Sequence, residues 1–104
     1  MTSVFVSDKI DPVKLHWARS AAKHDITQGR TRYVLTRAGL VYIQRATPPD
    51  RPFDQLVYLG DDRGGVALEV MAVELANGDL LVIHAMPLRS KYQAQYQEAL
   101  RWQR

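Results

Sequence analysis

Three polar residues interrupt two strongly apolar runs, and they are the first candidates for chemistry in this chain. Residues 68–86 read LEVMAVELANGDLLVIHAM, in which Glu69, Glu74 and His84 stand among hydrophobic neighbours. A polar side chain in such a run must reach solvent or find a hydrogen-bonding partner. Histidine is also suited to proton transfer, because its ordinary pKa lies near neutrality. The segment therefore predicts either a hairpin with one solvated face or the centre of a functional site.

The dipeptide Asn77-Gly78 predicts that the two runs are antiparallel strands joined by a tight turn. Asn-Gly favours a type I′ turn, in which both central residues have positive φ. Such a turn fixes the pairing across the hairpin, which gives the pairs Ala76–Asp79, Met71–His84 and Glu69–Met86. His84 and Glu69 would then lie diagonally on one face, within reach of each other. A structural and a functional role for this pair both remain open at this point.

Composition is typical of one small domain. The 104 residues are 46% hydrophobic and contain no cysteine, which excludes thiol catalysis, cysteine-rich zinc sites and disulfides. We expect a single domain over residues 1–104, with residues 1–10 as an N-terminal arm. The N-terminus lacks the features of an export signal, and no run approaches the roughly 20 apolar residues of a membrane span. We therefore expect a cytoplasmic protein that does not bind membranes.

Capping residues predict two helices in the N-terminal part of the chain. Asp11 followed by Pro12 is typical of a helix start, and it predicts a helix from about 12 to 23. Thr27 after a hydrophobic residue predicts the start of a second helix, and Gly39 predicts its end.

The C-terminal part is expected to contain four strands and a last helix. Strands are predicted over 40–45 and 55–60 and on the two sides of the Asn-Gly turn. Ser90, with Gln93 three positions later, forms a capping box that predicts a helix from about 91 to 102. The expected fold is α+β: a twisted four-stranded antiparallel sheet with two N-terminal helices and one C-terminal helix.

These elements and their motifs resemble the BrnT-like toxins, small ribonucleases of type II toxin–antitoxin modules. The chain resembles even more closely a group of small actinobacterial proteins. The motifs that carry the resemblance are Asp11-Pro12-x-Lys14, Lys23-His24, Arg63-Gly64-Gly65, Leu68-Glu69-Val70, His84-Ala85-Met86 and Arg89-Ser90-Lys91-Tyr92. The resemblance implies a RelE-like fold with the order ααββββα and metal-independent cleavage of RNA without a cofactor. It also implies a cognate antitoxin protein as partner, in a cellular or phage setting, and leaves the oligomeric state open.

Two positions depart from the family pattern. Asp25 stands where glycine usually follows Lys-His, and Met86 stands where the family has an arginine. A guanidinium at that second position could hold a phosphate at two points, which methionine cannot do. Arg89 could replace it from three residues further on. The alternative function is a non-catalytic interaction module of the same fold that binds a host protein or a nucleic acid.

The resemblance implies specific catalytic roles. Attack by a 2′-hydroxyl needs a general base, a general acid and a cation that stabilises the charge on phosphorus-bound oxygen. His84 is the candidate base, with Glu69 orienting it or acting as the base itself. His24 is the candidate acid, since a helix C-terminus would favour its protonated form. Arg89 is the candidate charge stabiliser.

The candidate RNA-binding residues are Lys23, Arg63, Lys91 and Tyr92. A net charge of +3 is a mild indication of a polyanionic partner. Cations beside an aromatic ring suit an RNA backbone and a stacked base. The alternative is that the cations are solvated surface charges and that Tyr92 packs the last helix onto the sheet. No metal site is expected, because the three histidines lack ligand spacing.

Overall fold

The computed structural model describes residues 14–38 and 41–102, which form a five-stranded mixed sheet with one α-helix against each face. The strand order is β1-β5-β4-β3-β2; β1 is parallel to β5, and the other neighbours are antiparallel. The elements are β1 Leu15–Trp17, α1 Gln28–Ala38, β2 Tyr42–Gln44, β3 Gln55–Asp61, β4 Ala67–Glu74, β5 Leu80–Pro87 and α2 Gln93–Trp102, with short 3₁₀ helices at Arg19–Ala22 and Ser90–Tyr92. No helix among these residues is long and apolar enough to cross a membrane.

The helix predicted over 12–23 is wrong where the structure describes it. Leu15–Trp17 is an edge strand, with Leu15 opposite Leu80 and Trp17 opposite Val82. Its carbonyl and amide groups complete the open edge of β5, since Leu80 N donates to Lys14 O at 3.0 Å and Ala18 N donates to Val82 O at 2.9 Å. The hydrogen bonds that pair an otherwise open strand edge stabilise this segment more than a short helix would, because a short helix is only marginally stable by itself.

This strand overturns the predicted architecture, although the α+β class holds. The sheet has five strands and mixed directions rather than four antiparallel strands, and one α-helix rather than two precedes β2 in the described residues. The RelE-like order ααββββα is therefore wrong. The predicted cap Asp11-Pro12, the arm 1–10 and the helix end at Gly39 lie outside the described residues.

The second predicted helix is confirmed as α1. Thr27 caps it, because its Oγ1 accepts a hydrogen bond from Arg30 N at 3.2 Å. Val34 is fully buried and packs with Tyr58 and Val70 on one face of the sheet. The last helix is also present as α2, but the capping box is not: Arg89 precedes the 3₁₀ turn at Ser90–Tyr92, and no side chain caps it.

The central hairpin has the predicted pairing around Glu69 but a different turn. Leu75 O accepts from Gly78 N at 2.9 Å and Leu75 N donates to Asp79 O at 2.8 Å, which is a type I turn closed by a glycine bulge. Gly78 has φ 91, whereas Asn77 is not among the residues with positive φ. This turn shifts the register by one residue.

A second bulge reverses that shift. The register changes between Met71 and Ala72, where Ile83 is the extra residue on β5. Beyond it Met71 pairs with His84, as predicted, and Glu69 pairs with Met86, as predicted. Met71 belongs to the α2 side of the core, so Glu69 and His84 face that side as well.

Candidate functional site

A buried carboxylate at the centre of the sheet joins the predicted site residues. Glu69 has no exposed surface, and its Oε2 lies 3.0 Å from His84 Nε2. Arg89 donates to the same carboxylate three times: from its backbone N to Oε1 at 2.9 Å, from Nε to Oε2 at 2.9 Å and from Nη2 to Oε2 at 2.5 Å. We call Glu69, His84 and Arg89 the Glu69 network.

Chain direction after β5 brings Arg89 into this network. Pro87 ends the strand, and Leu88 N donates to Ala67 O at 3.0 Å, which turns the chain back across the end of β4. Arg89 then faces Glu69 with both its backbone and its side chain. Met86 lies directly opposite Glu69 on β5. Arg89 supplies a guanidinium to the same carboxylate from beyond the end of that strand.

Charges in the network are set by burial and by its hydrogen bonds. Burial by itself would raise the pKa of Glu69, but the hydrogen bonds from Arg89 and His84 outweigh it and hold the pKa below its ordinary value. Burial lowers the pKa of His84; Glu69 opposes this, while the charges of Arg89 and His24 add to it. At neutral pH the network is therefore a carboxylate, a neutral imidazole and a guanidinium.

These charge states assign the tautomer of His84. An ionised carboxylate has no proton to donate, so Nε2 of His84 carries the hydrogen in the bond to Glu69. Nδ1 then carries the lone pair that can accept a proton. The side chain of His84 is 22% exposed, so a substrate can approach the ring.

His24 lies next to His84, as is required if the two residues act in one site. The ring centroids are 5.8 Å apart, with the planes at 70°. Ser20 holds this segment along β5 by donating from Oγ to Ile83 O at 2.6 Å. His24 follows a four-residue 3₁₀ helix, so the C-terminus of a long α-helix predicted beside it is wrong.

Asp25 adopts the backbone conformation that glycine would adopt at this position. Its φ is 60, in the left-handed region where glycine and, less often, Asn and Asp are found. The chain turns here from the 3₁₀ segment toward α1. Asp25 is therefore compatible with the turn that places His24.

Of the predicted RNA-binding residues, Lys91 and Tyr92 border the network. Arg89 Cζ lies 5.5 Å and Lys91 Nζ lies 5.2 Å from the centre of the Tyr92 ring. Tyr92 is only 5% exposed and packs with Val57 and Leu59, so its ring supports Arg89 rather than offering a face to a base.

The other two predicted RNA-binding residues differ in position. Lys23 is exposed and adjacent to His24. Arg63 lies in the β3–β4 turn, where its Cζ is 4.9 Å from the centre of the Tyr33 ring on α1. The structure therefore brings together His24, Glu69, His84 and Arg89 and places Arg63 elsewhere.

Tyr42 is a neighbour of the network that the sequence did not single out. Burial raises its pKa to about 12, with the charges of Tyr92 and Glu69 and a hydrogen bond to Tyr92 acting in the same direction. Tyr42 is on β2, two strands from β4, and only the strand order of the folded sheet brings it to this face. Its hydroxyl therefore stays protonated at neutral pH.

An apolar groove lies apart from the site and lacks its chemistry. About 840 Å³ in volume, it lies between residues 47–53 and the β4–β5 hairpin, and its lining includes Phe53, Leu75 and Ile83. Neither Glu69 nor His84 lines it. Within the described residues, no group of three or more His, Asp or Glu side chains is arranged to hold a metal ion.

Comparisons with known proteins give no match: no protein-family model, no curated protein and no solved structure is significantly similar to this chain.

Proposed function

We propose that this protein is an endoribonuclease that cleaves RNA through attack by the 2′-hydroxyl and needs no metal ion. The observation that supports this most is the bond between the buried Glu69 carboxylate and His84 Nε2, which orients the ring and leaves Nδ1 as the base. His24 is close enough for the two rings to act on one phosphodiester.

The reaction assigns one proton step to each histidine. His84 Nδ1 removes the proton from the 2′-hydroxyl, whose oxygen then bonds to the adjacent phosphorus. The bond from phosphorus to the 5′-oxygen breaks, and His24 gives a proton to that oxygen. The products are a 2′,3′-cyclic phosphate and a 5′-hydroxyl, and a proton from water restores His24 as His84 releases its own.

Arg89 has a double role in this proposal. Two of the five N–H donors of its guanidinium bond to Glu69, which leaves donors for a phosphate oxygen. Its side chain is 41% exposed and can reach substrate. The positive charge would stabilise the additional negative charge that develops on the phosphate oxygens during attack.

The resemblance adds two further parts to the proposal. An antitoxin protein would bind the toxin and suppress cleavage, and both would act in the cytoplasm, where RNA is available. Co-expression with the product of the neighbouring gene tests the first part. Rescue of growth together with co-purification is the expected result; a complex that still cleaves RNA contradicts it.

Purified protein and RNA test the cleavage itself. We expect fragments with 2′,3′-cyclic phosphate and 5′-hydroxyl ends, and equal rates with and without EDTA. His84→Gln should lower the rate by about 10²–10⁴-fold, the usual contribution of a proton-transfer residue. His16→Gln is the matched control, because His16 is an exposed histidine on β1, bonded to Asp79 at 3.0 Å. Loss of cleavage with EDTA contradicts the mechanism.

The second candidate function is a non-catalytic interaction module. It is favoured by the same network, because a fully buried Glu69 that holds Arg89 also fixes the start of α2 against the sheet. In that case His84→Gln should lower the melting temperature, and wild-type protein should not cleave free or ribosome-bound RNA. Melting and cleavage measured on the same preparations separate the two candidates.

A further inference from the structure

A second cluster of cations lies on the α1 side of the sheet. Arg37 Cζ is 4.8 Å and Arg63 Cζ is 4.9 Å from the centre of the Tyr33 ring. Arg30 is on the same helix and pairs with Asp62 at 2.8 Å. We call Arg30, Tyr33, Arg37 and Arg63 the Tyr33 patch; with Thr27 and Thr36 they line a concavity of about 550 Å³.

Both carboxylate oxygens of Asp62 already accept hydrogen bonds. Its Oδ2 accepts from Arg30 Nε at 2.8 Å, and its Oδ1 accepts from Gly64 N at 2.8 Å and Val66 N at 2.9 Å. Asp62 is 6% exposed, and no acidic residue lines the described concavity. The charges of Arg37 and Arg63 are therefore not neutralised within the patch.

Two exposed guanidinium groups that lie against one ring can share an anion. The aromatic face attracts each cation, but the two cations repel each other. A guanidinium that lies against a ring still presents its N–H donors at its edges, where they can bond two oxygens of a phosphate. The patch thus offers several N–H donors to phosphate groups.

The surface around the patch fits a nucleic acid better than a protein. Protein interfaces have an apolar, well-packed centre, whereas nucleic-acid interfaces are polar and positively charged. The exposed large hydrophobic side chains of the described residues are Ile43, Phe53 and Val66, and none of them lines this concavity.

The patch and the Glu69 network lie at the same end of the sheet. Leu68 pairs with Pro87 and Ala67 pairs with Asp61, so the β3–β4 turn and the end of β5 are neighbours. Thr27 borders the patch, and His24 precedes it by three residues. Because the patch is on the α1 side and Glu69 and His84 are on the α2 side, one strand of RNA that contacts both surfaces must pass around this end of the sheet. His24 and Thr27 lie there, separated by three residues of chain that span at most about 11 Å.

We propose that the Tyr33 patch binds the phosphodiester backbone of the RNA whose cleavage site lies at His24 and His84. Arg37 and Arg63 would each contact a phosphate, and Arg30, fixed by Asp62, would border the path. This inference rests on the proposed ribonuclease function for its choice of RNA. It adds a binding surface outside the Glu69 network.

Binding to a strand that cannot react tests the patch independently of cleavage. The probe is a fluorescent single strand with 2′-O-methyl groups, which lacks the attacking hydroxyl, and the readout is anisotropy over a series of salt concentrations. Each phosphate contact on a single strand contributes about 0.7 to the slope of log K against log salt concentration. We expect the slope for Arg37→Gln/Arg63→Gln to be smaller by about 1.4.

A matched double variant controls for net charge. Arg45 and Arg101 have side chains 76% and 72% exposed and lie outside the patch, so Arg45→Gln/Arg101→Gln removes the same charge. Arg37→Lys/Arg63→Lys should retain most of the slope. A wild-type slope in the patch variant, or an equal loss in the control variant, overturns the proposal.

Cleavage of the matching unmodified RNA separates this inference from the proposed function. Patch-dependent binding without cleavage by wild-type protein would support the patch and contradict the ribonuclease. Cleavage that depends on His84, together with a slope unaffected by Arg37→Gln/Arg63→Gln, would support the ribonuclease and contradict the patch.

Discussion

Glu69→Gln tests whether the charge on the buried carboxylate stabilises the fold. Glutamine has nearly the same shape, but one of its two terminal atoms donates hydrogen bonds instead of accepting them. Glu69 Oε2 accepts from His84 and from two guanidinium nitrogens of Arg89, whereas Oε1 accepts the backbone N–H of Arg89. We therefore expect the amide oxygen to occupy the Oε2 position and the amide nitrogen to face that backbone N–H.

The cost follows from the groups left without partners. One unsatisfied backbone donor costs about 1–3 kcal/mol. Breaking a buried ion pair costs about 3–5 kcal/mol, but Arg89 is 41% exposed and recovers part of that by solvation. We expect the free energy of unfolding at pH 7 to fall by about 2–4 kcal/mol, and the melting temperature to fall by roughly 10–20 °C.

The pH dependence of stability gives a second readout of the same variant. The folded pKa of Glu69 is below its ordinary value of 4.5, so its contribution to stability is complete above about pH 4.5 and is lost as the pH falls through the folded value. The pKa of His84 is also lowered, from 6.5, so its contribution is lost as the pH falls below 6.5. Glu69→Gln should make the loss of stability at acid pH smaller without abolishing it, since the pKa values of Asp62 and Asp79 are also lowered, and it should keep the transition below pH 6.5.

Glu74→Gln is the matched control, because Glu74 is an exposed glutamate on the same strand. Chemical unfolding followed by circular dichroism at several pH values measures all three proteins. A Glu69→Gln protein within about 0.5 kcal/mol of wild type would refute the reasoning, since that is the range of ordinary surface substitutions. An unchanged acid transition would refute it as well.

Two further predictions concern local structure. Tyr96 donates to Asp61 at 2.5 Å, and this bond, with burial, raises the pKa of Tyr96 to about 12. Asp61→Asn should bring that pKa toward 10 in an ultraviolet titration, in which Tyr96→Phe identifies the Tyr96 signal. An unchanged titration would contradict the role of this hydrogen bond. Gly78→Ala should lower the free energy of unfolding by about 1 kcal/mol, because the φ of Gly78 is 91. Gly29→Ala, inside α1 with 4.0 Å to the nearest side chain, should raise the free energy of unfolding by about 0.5–1 kcal/mol. Equal effects of the two substitutions would contradict the left-handed conformation of Gly78 in the turn.

The central strands and α1 could be predicted because their signals are local, whereas α2 was predicted from a capping box that does not form. Thr27 forms a cap within four residues of its own chain, and the β4–β5 hairpin shows an apolar run on each side of its turn. Strand β1 could not be predicted in this way. Its partner Leu80 is far away in sequence, and nothing local in Leu15–Trp17 indicates that the edge of β5 needs a neighbour.

The pairing of Glu69 with Met86 was predicted through a wrong turn. A type I′ turn would have kept one register along the hairpin, but the glycine bulge at Gly78 and the bulge at Ile83 each shift it, in opposite directions. Bulges of this kind depend on which faces the sheet must bury, which a single hairpin sequence does not specify. The face on which His84 lies was therefore correct only because the two shifts cancel.

The backbone accounts for the residues found at positions 25 and 86. Asp25 takes the left-handed conformation that glycine favours, so the turn after His24 is preserved at the cost of some strain. Met86 faces Glu69 without a charge, and Arg89 reaches the same carboxylate from the next turn of the chain. Because Arg89 also bonds Glu69 through its backbone, the cation is held more rigidly than a side chain on β5 alone would be. A guanidinium fixed in this way loses little entropy when it binds a phosphate, which is what a site for charge stabilisation requires.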